Sequence, residues 1–177
     1  MTWSSRLRLA TADEIPLIVA IDDDASVSYA EVGLTLDLAP GHPFVAAEQS
    51  RWTEAARAQR LLLACTETGE PVGFASLDLA DGRPYLDQLS VRRAWRRQGI
   101  GRMLIEQAQA WSAAAGELWL TTYDARVPWN QPLYERYGFA RVDESSCGAE
   151  LRAKLAAERA VLPAPEGRVA MVYRHRS

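Results

Sequence analysis

The chain has 177 residues, 48% of them hydrophobic, and carries a formal net charge of -3. This size and composition predict a single globular domain over residues 1–177, and the net acidity argues against a nucleic-acid binder. No apolar run approaches the roughly 18 residues of a membrane span, and the N-terminus has no signal-peptide pattern, so we expect a cytoplasmic protein without membrane contact. Cys65 and Cys147 form neither a disulfide framework nor a metal-ligand pattern, and no metal site is expected.

The first half of the chain predicts a strand followed by two helical regions. Arg6–Leu9 alternates polar and apolar residues, as a half-buried strand does. Thr11, with Glu14 three residues later, has the pattern of a capping box, which predicts a helix that runs to about residue 29. Residues 31–60 predict a second helical region, which the Pro-Gly-His-Pro sequence at residues 40–43 interrupts.

Strands and helices are predicted to alternate in the rest of the chain. A meander of three strands is expected at residues 61–65, 72–79 and 85–91, followed by helices at 101–115, 130–137 and 149–160 and by strands at 118–120, 139–142 and 169–173. The strand–helix–strand unit in the middle implies one parallel strand pair inside a mostly antiparallel sheet. The sequence therefore predicts a mixed α/β (α+β) fold in which helices flank a central mixed sheet.

The segment between the last strand of the meander and the following helix has the features of an anion-binding turn. Gly99 and Gly101 lack a Cβ atom, so a phosphate group could approach the backbone closely. The first N–H groups of a helix have no intrahelical partner, and Arg96, Arg97 and Arg102 add positive charge nearby. The pattern is neither the nucleotide P-loop nor the dinucleotide-binding fingerprint. By itself it is equally typical of a helix that begins with a solvated basic face.

Two sequence blocks resemble the Gcn5-related N-acetyltransferase (GNAT) family. Residues 96–101 (RRQGIG) are similar to the family's Arg/Gln-x-x-Gly-x-Gly/Ala signature, and residues 133–139 (LYERYGF) resemble its Leu/Phe-Tyr-Glu-x-x-Gly-Phe block. The blocks stand in the family's order and at a family-like separation, and the resemblance covers residues 5–142. It implies the GNAT fold, with the helix at 149–160 as an extra helix before the last strand.

The resemblance also implies acetyl-CoA (coenzyme A) as the cofactor. The backbone of Leu89 and Val91 would hydrogen-bond the pantetheine amides as an added strand does, and backbone N–H groups from Gln98 to Arg102 would bind the pyrophosphate. Tyr134 stands where the family places a tyrosine that can protonate the departing thiolate, although a buried aromatic residue is the alternative. The residues expected to bind the cofactor are Leu89, Ser90, Val91, Arg96, Arg97, Gln98, Gly99, Ile100, Gly101, Arg102 and Asn130.

Asn130 marks a departure from the family pattern. The family often has an asparagine about seven residues before the tyrosine, a place that Val127 occupies here. Asn130 lies one helical turn later and closely precedes Pro132, so it first predicts the N-cap of a short helix. Contact with the cofactor is the alternative or additional role.

The acceptor side of the site is predicted from acidic and aromatic residues. Asp87 lies on the strand expected to carry the cofactor, and a carboxylate there could take the proton of an amine. Candidates for acceptor binding are Asp24, Tyr29, Glu31 and Trp129. The alternatives are water as the base, a solvated acidic surface, and aromatic residues that belong to the core.

Together these residues predict direct transfer of acetyl from acetyl-CoA to an amine within a ternary complex. A small-molecule amine is the expected acceptor, and the protein is expected to be a monomer or a homodimer. Two alternatives keep the fold: an acyltransferase that uses a larger acyl-CoA, and a CoA-binding module without catalysis.

Overall fold

The computed structural model describes residues 6–176, and the strands within this part of the chain form one mixed sheet. They are β1 (Arg6–Leu9), β2 (Leu61–Cys65), β3 (Pro71–Ala80), β4 (Arg83–Val91), β5 (Glu117–Tyr123), β6 (Phe139–Val142) and β7 (Arg168–Arg174). Their order in the sheet is β1-β2-β3-β4-β5-β7-β6. β4 and β5 pair in parallel, whereas β1 with β2, β2 with β3, β5 with β7 and β6 with β7 pair antiparallel. The predicted mixed sheet with a parallel pair is therefore confirmed.

Helices flank the sheet, as predicted. They are α1 (Ile15–Ser26), α2 (Pro43–Arg57), α3 (Ile100–Ser112), α4 (Gln131–Arg136) and α5 (Ala149–Val161). α5 is the predicted extra helix before the last strand, and its buried Leu151 and Leu155 pack against β4, β5 and β7 residues. Burying each leucine contributes about 1.5–3 kcal/mol, which fixes this helix on the sheet. No helix within residues 6–176 has the length and apolar character needed to cross a membrane.

The early helical region differs from the prediction in its boundaries. The helix predicted to reach residue 29 ends at Ser26 and continues as a 3-10 helix over Val27–Val32. In the second region, only Pro43–Arg57 is α-helical, because His42 begins the helix and accepts a hydrogen bond from the Phe44 N–H at 3.1 Å. Proline at the first helical position has no N–H to lose, so the Pro-Gly-His-Pro sequence starts α2 and does not merely interrupt a helix.

The contacts of the chain divide it into two compact units. The first unit contains residues 6–28, Asp37–Leu77 and Gln88–Gln107, and the second contains Tyr29–Leu36, Asp78–Asp87 and residues 108–176. Strands β3 and β4 contribute residues to both units. The core of the first unit lies between α1, α2, β2 and β3, and α5 covers the core of the second. A single domain stays a prediction.

Candidate functional site

The turn between β4 and α3 is built from left-handed backbone positions. A 3-10 helix over Arg93–Trp95 follows the strand, and Arg97 and Gly99 then have φ angles of 61° and 85°. Glycine adopts such angles freely, whereas a side chain at this φ strains the backbone. Left-handed residues in turns of this kind direct successive backbone N–H groups into a concave surface that suits an anion.

The space in front of this turn is open. A Cβ atom built on Gly99 or Gly101 meets no heavy atom of the described residues within 4 Å. Helix α3, which has 13 residues, begins at Ile100, so its first N–H groups and the positive end of its dipole face this space. The geometry therefore fits a pyrophosphate group, as the sequence predicts for residues 96–102, and that role stays a prediction.

Helix α1 holds the end of β4 through two carboxylates within the first unit. Asp22 accepts hydrogen bonds from Ser90 Oγ at 2.6 Å and from Gln88 Nε2 at 2.7 Å. Asp24 accepts from the Arg93 N–H at 2.7 Å and from its guanidinium at 3.2 Å. The Arg93 backbone bond, followed by its side chain, holds the pKa of Asp24 below its usual value. Asp24, predicted to bind the acceptor, thus has a partner in its own chain.

Gly73 on β3 allows the strand and helix of the turn to approach closely. A Cβ atom at this position would lie 3.0 Å from the Ser90 carbonyl oxygen and 3.2 Å from Ile100 Cγ2. The neighbouring Val72 carbonyl accepts a hydrogen bond from the Arg92 N–H at 2.9 Å. A residue about 20 positions before the turn therefore takes part in fixing it, which a local motif does not reveal.

The second unit holds both predicted catalytic residues, beginning with the group around Tyr134. The Asn130 carbonyl begins α4 by accepting from the N–H groups of Leu133 and Tyr134 at 2.9 and 3.1 Å. Asn130 is thus the N-cap residue, as predicted, but its side chain does not cap the helix. Its Nδ2 instead donates to the Tyr29 hydroxyl at 3.1 Å.

Tyr134 is buried, and its ring contacts Phe139 with centroids 5.5 Å apart. Burial raises the pKa of Tyr134 well above its usual value; the hydroxyl of Tyr29 raises it further, and the charge of Arg168 acts in the opposite direction. Any tyrosine is neutral at pH 7 and carries a proton that it can donate, and the raised pKa makes this phenol a weaker acid than a free one. The packed-aromatic alternative and the acid role are compatible with this placement.

Tyr29 joins the aromatic candidates of the acceptor side. Its ring lies 5.8 Å from that of Tyr123 and 5.8 Å from that of Trp129. Glu31 follows two residues later in the same 3-10 helix and is exposed. The structure thus brings Tyr29, Trp129 and Asn130 together, and their roles toward an acceptor or cofactor stay predictions.

Asp87 lies against helix α5. Its side chain is 4% exposed, and Oδ1 is 3.6 Å from Lys154 Nζ, whose side chain is 23% exposed. The same ammonium group lies 4.8 Å from the ring centroid of Tyr85. The predicted base is therefore a buried carboxylate beside a lysine, a partner that the sequence analysis did not identify.

A second polar contact of α5 involves Glu158. Arg168 donates to Glu158 Oε2 at 2.8 Å and places its guanidinium 4.7 Å from the ring centroid of Tyr123. The hydroxyl of Thr121 donates to Glu158 Oε1 at 2.7 Å, so the Tyr85 hydroxyl, 2.8 Å from Thr121, acts as the donor to it. Lys154 and Glu158 stand four residues apart, as do Leu151 and Leu155. Residues at this spacing lie on the same side of a helix, so the sequence pattern places both charged side chains beside the buried leucines.

These contacts form one connected cluster within the second unit, which we call the α5 cluster. It runs through Asp87, Lys154, Tyr85, Thr121, Glu158, Arg168, Tyr123, Tyr29, Asn130 and Tyr134. Asp87 belongs to this network through its carboxylate, whereas Tyr134 joins it through its backbone N–H. A carboxylate and a phenol in the same unit suit a reaction in which one reactant loses a proton and another gains one.

Comparison with known proteins identifies the family. The acetyltransferase (GNAT) family model matches residues 19–139, more than half of the 177-residue chain. The structure is similar to a GNAT-family acetyltransferase from Staphylococcus aureus, with a TM-score of 0.71 and 13% identity over 98% of this chain and 100% of that one. It also resembles the PaiA N-acetyltransferase of Thermoplasma acidophilum in complex with coenzyme A, with a TM-score of 0.65 and 12% identity over 97% and 99% of the two chains.

A third similar structure belongs to a longer protein. N-acetylglutamate synthase from Neisseria gonorrhoeae, complexed with coenzyme A and N-acetyl-glutamate, matches with a TM-score of 0.67 and 17% identity. The match covers 98% of this chain but spans 36% of the length of that enzyme. At these identities the structural similarity establishes the fold, and the family model establishes membership. The fold and motifs expected from the sequence are confirmed, and the chain belongs to the acetyltransferase (GNAT) family.

Proposed function

We propose that this protein transfers the acetyl group of acetyl-CoA to the amine of a small-molecule acceptor. Family membership supports an acyl-CoA-dependent N-acetyltransferase, and two of the similar structures contain coenzyme A. The observation that carries the proposal is the open glycine turn at the start of α3, where Gly99 and Gly101 leave the backbone accessible. Acetyl-CoA would supply an activated thioester whose carbonyl carbon an amine attacks while the C–S bond breaks.

The first unit would bind the cofactor mainly through backbone groups. Peptide N–H groups from Gln98 to Arg102 would donate to the pyrophosphate, and Arg96 and Arg97 would add positive charge. Leu89 and Val91 would hydrogen-bond the pantetheine arm as an extra strand does. β4 pairs with β5 at Tyr85 and Leu86 and continues as an extended strand to Val91. This extended segment of β4 supports the proposed hydrogen bonds of Leu89 and Val91 to the pantetheine arm.

The α5 cluster would handle the protons. The amine nitrogen must lose a proton as the amide forms, and Asp87, directly or through water, would accept it. The sulfur that leaves the acetyl group needs a proton, which the hydroxyl of Tyr134 would supply, since a phenol is protonated at neutral pH. Tyr29 and Trp129 would contact the acceptor, and Asn130 would hold Tyr29 in place.

Thiol release from acetyl-CoA, measured with a panel of amines, tests this proposal. We expect acetyl-CoA to bind in calorimetry and at least one small amine to give free thiol and an N-acetylated product in a mass spectrum. Propionyl-CoA and longer thioesters serve as parallel donors, and lysine-containing peptides as parallel acceptors. Faster turnover with a longer acyl-CoA or only with peptides would replace the acetyl or small-molecule assignment, and binding without turnover by any amine would favour a non-catalytic CoA-binding module.

A further inference from the structure

Helix α5 directs two charged side chains toward the sheet. A surface helix normally places charges on its solvent face and apolar residues on its inner face. Here Lys154 and Glu158 share the inner side with the buried Leu151 and Leu155, and both contact polar groups of the strands. The Lys154 ammonium group lies 3.6 Å from Asp87 Oδ1.

Burial acts against the charged form of the Asp87 carboxyl group. With 4% of its side chain exposed, the carboxylate has lost most of its contact with water, which disfavours the negative charge. A protonated carboxyl group cannot accept a proton from an amine. A cation within 4 Å restores the preference for the charged form, and Lys154 lies at this distance.

We infer that Lys154 is a positioning residue for acetyl transfer, which keeps the Asp87 carboxylate charged and in place so that it can accept the proton of the acceptor amine. This inference rests on the proposed function. In the step, the lone pair of the amine attacks the thioester carbonyl carbon, an N–H bond then breaks and its proton passes to an Asp87 oxygen directly or through water, and the electron pair of that bond stays on nitrogen as the amide forms and the C–S bond breaks. Lys154 keeps its own proton throughout, and Asp87 later returns the gained proton to solvent.

Other charged groups near this pair belong to three elements. Tyr85 lies on β4, two residues before Asp87, and its ring faces the Lys154 ammonium at 4.8 Å. Glu158 on α5 and Arg168 on β7 form their own ion pair at 2.8 Å. Lys154 is a basic side chain of α5 that forms an ion pair with Asp87.

Three variants of α5 separate the charge of Lys154 from its bulk. Lys154→Met keeps the length of the stem and removes the charge, whereas Lys154→Arg keeps the charge. Arg152→Met is the matched control, because Arg152 is an exposed residue of the same helix that donates to the Cys147 carbonyl at 2.6 Å. Thermal unfolding of each variant shows whether α5 remains folded.

The pH profile of kcat/KM for an active amine gives the first measurement. For Lys154→Met we expect the acidic limb to move to higher pH by about one unit or more, since an opposite charge within a few ångströms shifts a carboxyl group by roughly 1–3 units. Lys154→Arg should restore the profile, and Arg152→Met should leave it unchanged. An unchanged acidic limb in folded Lys154→Met, or the same shift in an Asp87→Asn background, would overturn the inference.

A second measurement needs no turnover. The carboxyl carbon of Asp87, assigned by comparing 13C spectra of the wild-type protein and Asp87→Asn, should titrate at higher pH in Lys154→Met than in the wild type. Equal titration in both proteins would refute the role of Lys154 even if the enzyme is active. Conversely, a shifted titration in a protein that acetylates no amine would support the charge interaction while the proposed function fails.

Discussion

The turn at Arg97–Gly101 in the first unit and the α5 cluster in the second are built from different parts of the polypeptide. The turn is exposed and presents backbone groups, and its two glycines face open space. The α5 cluster is mostly buried and depends on side chains that hold one another through hydrogen bonds and ion pairs. A site made of backbone groups loses ligand binding when a side chain is added to it. A network of side chains loses stability when one partner is removed. The two regions should therefore respond to substitutions in opposite ways.

The largest effect is expected from Gly101→Glu in the turn. Gly101 is preferred to Gly99 for this test, because the φ angle of 85° at Gly99 strains any other residue. The new carboxylate would displace and repel the pyrophosphate, and losing two charge-assisted hydrogen bonds of about 2 kcal/mol each weakens binding roughly 1,000-fold. Calorimetry with coenzyme A measures this loss, and thermal unfolding should stay close to that of the wild type. Gly101→Ala is the milder control, and wild-type affinity in Gly101→Glu would disprove the assigned turn.

Removing a partner from the α5 cluster should instead reduce stability. Glu158→Gln leaves the Arg168 guanidinium without its counter-charge, and breaking a buried ion pair of this kind costs about 3 kcal/mol. Glu166→Gln is the matched control, because Glu166 pairs with Arg126 at the surface, where such pairs contribute at most about 1 kcal/mol. Urea unfolding measures both changes. Equal losses of unfolding free energy in the two variants would show that the Glu158–Arg168 pair contributes no more stability than the surface pair.

Tyr134→Phe should affect turnover and leave the turn unaffected. Loss of a general acid reduces kcat by roughly 100-fold, and the ring that packs on Phe139 is kept. Coenzyme A should bind this variant with nearly the wild-type Kd, in contrast to Gly101→Glu. The kinetic constants with the best amine decide the matter: a kcat within about twofold of wild type would remove Tyr134 from the proton path.

Alkaline pH should weaken the second unit more than the first, since the tyrosines whose pKa burial raises lie in the second unit. Burial raises the pKa of Tyr123 to about 12 and also raises the pKa of Tyr134, so the unfolded chain releases these protons first. The stability they contribute is complete below about pH 10 and is lost as the pH rises through the folded values, by up to about 1.4 kcal/mol per pH unit for each group. Urea unfolding between pH 9 and 11 should show this slope, and Tyr134→Phe should make it shallower. An identical slope in both proteins would contradict the buried phenol.

The difference between the two regions also explains what the sequence predicts well. The turn and the strand–helix order around it come from local signals, and β2, β6 and α5 lie within a residue or two of their predicted positions. The side-chain partners depend on which elements meet in the folded chain. Asn130 illustrates this dependence. Its local pattern predicts a side-chain cap, but its amide donates a hydrogen bond to the hydroxyl of Tyr29, 101 residues earlier.

The acidic residues of the early helical region also have partners that the local sequence does not predict. Asp24 is predicted either to bind the acceptor or to belong to a solvated acidic surface, and neither prediction includes the hydrogen bonds that Asp22 and Asp24 accept from β4 residues and from Arg93. Those bonds join residues 66 to 69 positions apart. The role of Lys154 likewise follows only from its ion pair with Asp87, since a lysine on a helix is by itself typical of a solvent-exposed face.

Gly73 lies outside the sequence motif of the turn but contributes to its shape. Its missing side chain lets β3 support Ser90 and Ile100, and the adjoining Val72 carbonyl holds the Arg92 N–H. The final shape of the turn therefore depends on contacts with β3, which lies outside the sequence motif. A synthetic peptide that spans β4 to α3 carries the complete sequence motif but lacks this support. Its binding strength would measure how much of the site is assembled by the rest of the chain.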